Sequence, residues 1–184
     1  EERVDFVIRE LALQRCLDRI IGGALIKGIS DGERKRLAIA LQLLRTPSIL
    51  LLDEPTSGLD TTSSRDVINI LKDLANRGFT IVITIHSPDS YIYDKFDRLL
   101  MLVNGQVQYF GTSKQAVQAY CDATHSQIRN FQNPAEFLFE CAATNTNGNG
   151  IATIRQDYPD PKVIAGENPQ LPLVREDDAS CCCC

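Results

Sequence analysis

No run of about 18 consecutive apolar residues occurs in the sequence, so no stretch is long enough to cross a bilayer as a helix. A basic excess is missing too. With 19 Lys and Arg against 24 Asp and Glu, the formal net charge is −5. That balance lacks the electropositive face a nucleic-acid partner would need, and none is expected. No signal-peptide pattern opens the chain, because Glu1-Glu2-Arg3 runs straight into a helical repeat. Position 1 is not methionine either, as expected of a fragment or a processed piece. What is present fits a globular domain: 184 residues, 43% of them hydrophobic, leave room for one core and a tail.

Cysteine usage is uneven. Cys16, Cys121 and Cys141 are scattered among apolar neighbours and read as reduced residues in or near a core, as in a cytosolic protein. Cys181-Cys182-Cys183-Cys184 form a terminal run. Lipidation beside a membrane is one reading of it. Four adjacent thiolates make poor zinc geometry, and the third reading is an accidental or truncated end.

The chain divides near residue 143. From Thr144 the sequence is polar, interrupted by prolines, without a sustained period, and acidic at Glu176-Asp177-Asp178. A linker or tail is expected over 144–184 and a domain over 1–143. Residues 1–143 hold 16 basic and 18 acidic side chains and the remainder 3 and 6, so most of the charge excess lies in the tail.

Within 1–143, Val4, Val7, Ile8 and Leu11, then Leu17, Ile20 and Ile21, recur at helical spacing and predict one or two amphipathic helices over 3–20, ended by Gly22-Gly23. Ser30 with Glu33 three residues later is a capping box that opens a helix. The same geometry has a second reading, since a helix start with Ser and Gly in its first turn offers N–H groups and a hydroxyl to a phosphate. Ile49-Leu50-Leu51-Leu52 predicts a strand buried on both faces, as in a parallel sheet. Asp53-Glu54 follows at its C-terminal end, where open α/β sheets place ligands. Alone the pair could be a solvated turn. An apolar strand ending in Asp-Glu is also the Walker B element of nucleotide hydrolases, with Asp for Mg²⁺ and Glu for water.

Thr61–Asn76 predicts a helix with Val67, Ile70, Leu71 and Leu74 on its apolar face, and 79–85 a second buried strand. Strand, helix, strand of these lengths is a right-handed βαβ unit. It brings His86 level with Glu54 if the strands are in register. A lone histidine is commonly structural; beside an acidic pair at a strand end it reads as functional. Asn104-Gly105 predicts a hairpin between strands over 97–103 and 106–110. Ser113 is read as the cap of a helix reaching Cys121, and Asn133-Pro134 as the start of another.

Ser30-Asp31-Gly32-Glu33, Leu52-Asp53-Glu54-Pro55, Ser57-Gly58-Leu59-Asp60 and His86, in that order and spacing, resemble the signature loop, Walker B, D-loop and switch histidine of the ATP-binding-cassette ATPases. Gly28-Ile29-Ser30, Glu33-Arg34-Lys35-Arg36-Leu37, Phe96-Asp97-Arg98-Leu99, Gly111 and Asn133-Pro134-Ala135-Glu136-Phe137 resemble the G subfamily, the White-type half-transporters. The resemblance covers 1–143 and implies an α/β, P-loop NTPase-like domain with a mainly parallel sheet and a helical signature subdomain. It implies ATP and Mg²⁺: Asp53 for the metal, Glu54 for the attacking water, and His86 on the γ-phosphate. Ser30, Asp31, Gly32 and Glu33 would face a nucleotide held by a second nucleotide-binding domain, identical or not, and Asp60 would cross that interface. A transmembrane domain of the same transporter would be the other partner, with the cassette membrane-associated on the cytoplasmic side and export of lipids, sterols or xenobiotics as the task.

Two departures stand out. No Gly-x-x-x-x-Gly-Lys-Ser/Thr occurs, so the phosphate cradle is expected upstream and the chain alone is expected to be inactive. The alternative is a truncated, non-catalytic cassette acting as an interaction module. Asp31 stands where the family usually has glycine. Its charge would repel a γ-phosphate about 5 Å away by roughly 3 kcal/mol at an effective dielectric near 20, unless Mg²⁺, Arg34 or Lys35 offsets it. A soluble cassette of the DNA-repair or translation type is a third reading, and Asn133-Pro134-Ala135-Glu136-Phe137 argues against it.

Overall fold

The computed structural model describes residues 1–23, 26, 28–144 and the backbone of Ile154–Arg155. Helix α1 (Glu2–Glu10) buries Val7 and ends at Leu11; only a single 3-10 turn, Gln14–Cys16, follows. Of the one or two amphipathic helices expected over 3–20, α1 alone forms. Leu17, Ile20 and Ile21 are exposed, because the chain turns away before their shared face meets the core.

Helix α2 (Asp31–Leu43), strand β1 (Ile49–Leu52), helix α3 (Thr61–Asn76) and strand β2 (Thr80–Ile83) make the expected βαβ unit preceded by a helix. Strands β1 and β2 pair in parallel, with Ile49 opposite Thr80 and Leu52 opposite Ile83. Val67, Ile68, Leu71 and Leu74 of α3 pack with Leu50 of β1, Ile39 and Leu43 of α2, and Val7 and Leu11. Gly78, at φ 101°, turns the chain from α3 into β2, a conformation suited to glycine.

The expectation that β1 is buried on both faces is overturned. Leu50 is buried, whereas Leu51 is 72% exposed, and Val82 beside it on β2 is 53% exposed. An unbroken apolar run says that both faces suit apolar cover. Among the described residues that cover comes from α3, α1 and α2 on one side alone.

After the short helix α4 (Ser90–Tyr93), β3 (Arg98–Val103) and β4 (Gln106–Thr112) form the antiparallel hairpin. Asn104 and Gly105 hold φ 51° and 76°, the paired left-handed turn that Asn-Gly favours. Helix α5 (Ser113–Thr124) starts differently from expectation: Thr112 occupies the cap, and the buried Ser113 donates its hydroxyl to the Phe96 carbonyl. Helix α6 (Pro134–Thr144) begins as expected, with Asn133 Oδ1 accepting the Ala135 N–H at 3.0 Å. Tyr109, Tyr120, Phe137, Leu138 and Met101 make a second core cluster, and Phe96 packs against both clusters. Cys16 and Cys121 are free cysteines, and burial raises the Cys141 thiol pKa, which suits an inert packing residue. In the segment expected as linker, Ile154–Arg155 forms a two-residue strand, β5, parallel to β4. The rest of that segment, with Cys181–Cys184, lies outside the described residues.

Candidate functional site

The site grows from the C-terminal end of β1. Because Leu52 pairs with Ile83, the next residues out, Asp53 and Thr84, become neighbours. Thr84 donates its hydroxyl to Asp53 Oδ1 at 2.5 Å and accepts the Glu54 N–H at 2.9 Å. Glu54 sits at φ 43°, a left-handed conformation costing roughly 1–2 kcal/mol for a residue with a Cβ. Its backbone is held on both sides: the carbonyl accepts the Ser57 N–H at 3.1 Å and Lys35 Nζ at 3.5 Å. Strain so restrained is characteristic of functional loops. Sequence reading missed Thr84 in this role. The signal was a hydroxyl at the end of a β-branched run one strand away from the acidic pair.

At the start of α2 the capping box is complete. Glu33 N–H donates to Ser30 Oγ at 3.2 Å, and Ser30 N–H donates to Glu33 Oε2 at 2.7 Å. The Ser30 N–H, then Ser30 Oγ and the Arg19 and Arg36 charges, hold the Glu33 carboxyl below its ordinary pKa against the opposing effect of burial. Gly32 is buried, and a Cβ there would lie 3.2 Å from Ser63 Cβ of α3. Its lack of a side chain therefore lets α2 and α3 approach. Asp31 is exposed, and with Arg34, Lys35, Ala38 and Ser57–Leu59 it lines a cleft of about 410 Å³.

Asp60 caps α3, accepting the Thr62 and Ser63 N–H groups at 3.0 and 3.1 Å. Bonds from the Ser63 hydroxyl and then the Ser63 N–H lower its pKa. Strand β2 ends at Ile83, short of the expected 85, so His86 lies on a loop one residue beyond Glu54 in register. Its Nδ1 is 2.8 Å from Ser87 Oγ. His86 lines a separate cleft of about 230 Å³ with Thr56, Leu59, Thr61 and Asp89, which neither Asp53 nor Glu54 enters. Asp53, Glu54 and Thr84 are thus gathered at one point, while Ser30, Asp31, Gly32 and Glu33 stand at the start of α2 and His86 on the next loop.

The donor chemistry fits Mg²⁺. Asp53, Glu54 and Thr84 offer hard oxygen atoms, and no group of three or more His, Cys, Asp or Glu gathers among the described residues. Mg²⁺ commonly takes one or two carboxylates and completes its shell with water and phosphate oxygens. Asp53, exposed at the strand end, could hold such an ion.

A family profile described as "AAA domain, putative AbiEii toxin, Type IV TA system" matches residues 23–89, which contain the α2 start, both parallel strands and His86. ABC transporter G family member 22 of Arabidopsis thaliana is 45% identical over 147 residues, which is 80% of this chain and 19% of the relative. Protein white of Drosophila melanogaster is 42% identical over 142 residues, 77% of this chain and 20% of its own. This chain is part of a G-type ATP-binding cassette. The cassette also resembles, at 37% identity over 86% of this chain and 24% of the relative, the broad substrate specificity ATP-binding cassette transporter ABCG2 of Bos taurus. In fold it matches the ADP conformation of MJ1267, an ATP-binding cassette of an ABC transporter, with TM-score 0.55 and 26% identity over 64% of this chain and 45% of the other. The cassette segment spans about a fifth of the length of the curated relatives.

Proposed function

We infer that this chain supplies the Walker B, signature, D-loop and switch-histidine parts of an ATPase site in a longer G-type half-transporter. The observation that carries the reading is the Asp53–Thr84–Glu54 bridge at the end of two parallel strands. Mg²⁺, when bound, would neutralise charge on the phosphates. Asp53 would hold that ion, with the Thr84 hydroxyl fixing the orientation of its carboxylate. Glu54, pinned by Thr84, Ser57 and Lys35, would orient and polarise the attacking water. His86, with Nδ1 engaged by Ser87, would present Nε2 to the γ-phosphate. Phosphoryl transfer depends mainly on positioning and electrostatics, which is what these restraints supply. Ser30, Asp31, Gly32, Glu33 and Asp60 would face a second cassette, identical or different. A transmembrane domain would tether the assembly to a membrane, cassette on the cytoplasmic side, for export of lipids, sterols or xenobiotics. Residues 1–143 would form the cassette part, and 144–184 the connection beyond it.

One sequence feature favours a second reading for the isolated chain. No Gly-x-x-x-x-Gly-Lys-Ser/Thr motif is present, so by itself it would act as a non-catalytic pairing module. The test is Glu54→Gln in the full-length protein that carries this chain. Turnover should fall about 100-fold or more with ATP still bound. Unchanged turnover would remove Glu54 from the chemistry and, with it, the reading.

A further inference from the structure

The loop carrying His86 is not shaped by β2, which has already ended at Ile83. Ser87 holds φ 45°, a conformation that non-glycine residues seldom adopt, so other parts of the fold must impose it. The next residue, Pro88, is buried and has no N–H, and its carbonyl requires a donor. That donor comes from 45 residues away: Asn133 Nδ2 donates to the Pro88 carbonyl at 2.8 Å. The same amide's Oδ1 accepts the Ala135 N–H, the cap of α6. The two partners fix the orientation of the amide, since a backbone N–H must face oxygen and a carbonyl must face nitrogen. Helix α6 is itself anchored in the second core cluster by Ala135, Phe137 and Leu138. Past Pro88, Asp89 accepts Arg65 Nη2 at 2.7 Å and Nε at 3.1 Å, and also the Ile92 N–H at 2.8 Å.

We propose that Asn133 is a positioning residue for His86, fastening the histidine loop to α6 through the Pro88 carbonyl while Arg65 fastens its far end to α3. The residue type is informative. Capping alone would be served as well by Asp or Ser. Capping and donating to Pro88 together need an amide.

The proposal rests on His86 belonging to the ATPase site, and the test separates the two ideas. Asn133→Asp in the full-length protein keeps the cap oxygen and replaces the donor with an oxygen facing the Pro88 carbonyl. Hydrogen exchange of the His86, Ser87 and Asp89 amides should rise about tenfold with α6 amides unchanged, a readout that needs no activity. The turnover number should fall about tenfold with KM for ATP within about twofold. In a His86→Ala background the same substitution should cost nothing further, because residues acting through one another are not additive. Unchanged exchange at 86–89, unchanged turnover in an active enzyme, or losses that multiply in the double variant would each overturn the proposal. Were Asn133→Asp to melt α6, Asn133→Ser, which also caps without donating to Pro88, would take its place with the same expectations. If the unmodified full-length protein does not turn over ATP, the ATPase reading fails and the exchange measurement alone decides the clamp.

Discussion

Thr84→Val is the sharpest test of how the acidic strand end is built. The substitution keeps the β-branched shape and removes one hydroxyl that makes two bonds, to Asp53 Oδ1 and from the Glu54 N–H. A hydrogen bond to a charged group contributes about 1.5–3 kcal/mol and a neutral one about 1 kcal/mol. Asp53, Glu54 and Thr84 are all exposed, so water recovers much of each loss. The expected net cost is therefore about 1–2 kcal/mol. In addition, the N–H restraint on the strained Glu54 backbone disappears, leaving Ser57 and Lys35 to hold the residue from its carbonyl. Urea unfolding of wild type, Thr84→Val and Thr84→Ser would measure this, with Ser keeping the hydroxyl and giving up only a methyl. Valine should lower the midpoint and serine should restore most of it. A valine variant as stable as wild type, or a serine variant as damaged as valine, would refute the bridge.

Two further predictions concern charge and backbone. Burial alone would raise the Asp89 pKa, but the Ile92 N–H and Arg65 outweigh it and hold the carboxyl below its ordinary value. A depressed folded-state value means that the unfolded chain binds the proton more readily. The stabilisation is thus complete above the unfolded pKa and is lost as pH falls through the lowered folded-state pKa. Asp89→Asn, which can still cap α4, should flatten the acid limb of denaturant midpoint against pH; an unaltered limb would contradict the assignment. At Glu54, the φ of 43° implies that Glu54→Gly is more stable than Glu54→Ala by about 1 kcal/mol, since only glycine adopts that conformation freely. Equal thermal unfolding of the two variants would show that Glu54 carries no strain.

The parts of the fold that were legible in the sequence are those set by local chemistry. Ser30 and Glu33 formed the capping box, Asn104-Gly105 the turn, Asn133-Pro134 the α6 start, and Thr61–Asn76 a helix with its expected face. Local pattern failed where the answer depends on what lies opposite. The four apolar residues of β1 state that both faces suit burial, yet Leu51 and Val82 have no cover among the described residues. Leu17, Ile20 and Ile21 keep helical spacing without a helix, because nothing local reveals that the chain turns at Gln14–Cys16. The acidic pair and His86 were legible as types in order. Their supports were not: Thr84, Lys35 and Asn133 act across 30, 19 and 45 residues of sequence, separations at which spacing carries no information.

Those supports also explain why the α2 start and the strand end form one mechanical unit within the chain. Lys35 leaves the same helix whose first turn holds Asp31 and Gly32, and its ammonium reaches the Glu54 carbonyl. Gly32 lets α2 lie against Ser63 of α3, and Asp60 begins α3 by accepting the Ser63 N–H. A displacement of α2 is therefore felt at Glu54 directly and at Asp60 through the α2–α3 contact. The histidine loop answers to different elements, α3 through Arg65 and α6 through Asn133. Among the described residues, α3 touches both sets of restraints, and Thr84, two residues before His86, joins the histidine loop to the acidic pair. It follows that α3, which carries both the Asp60 cap and the Arg65–Asp89 pair, is one element through which a shift at one group would reach the other, beside the Thr84 bridge.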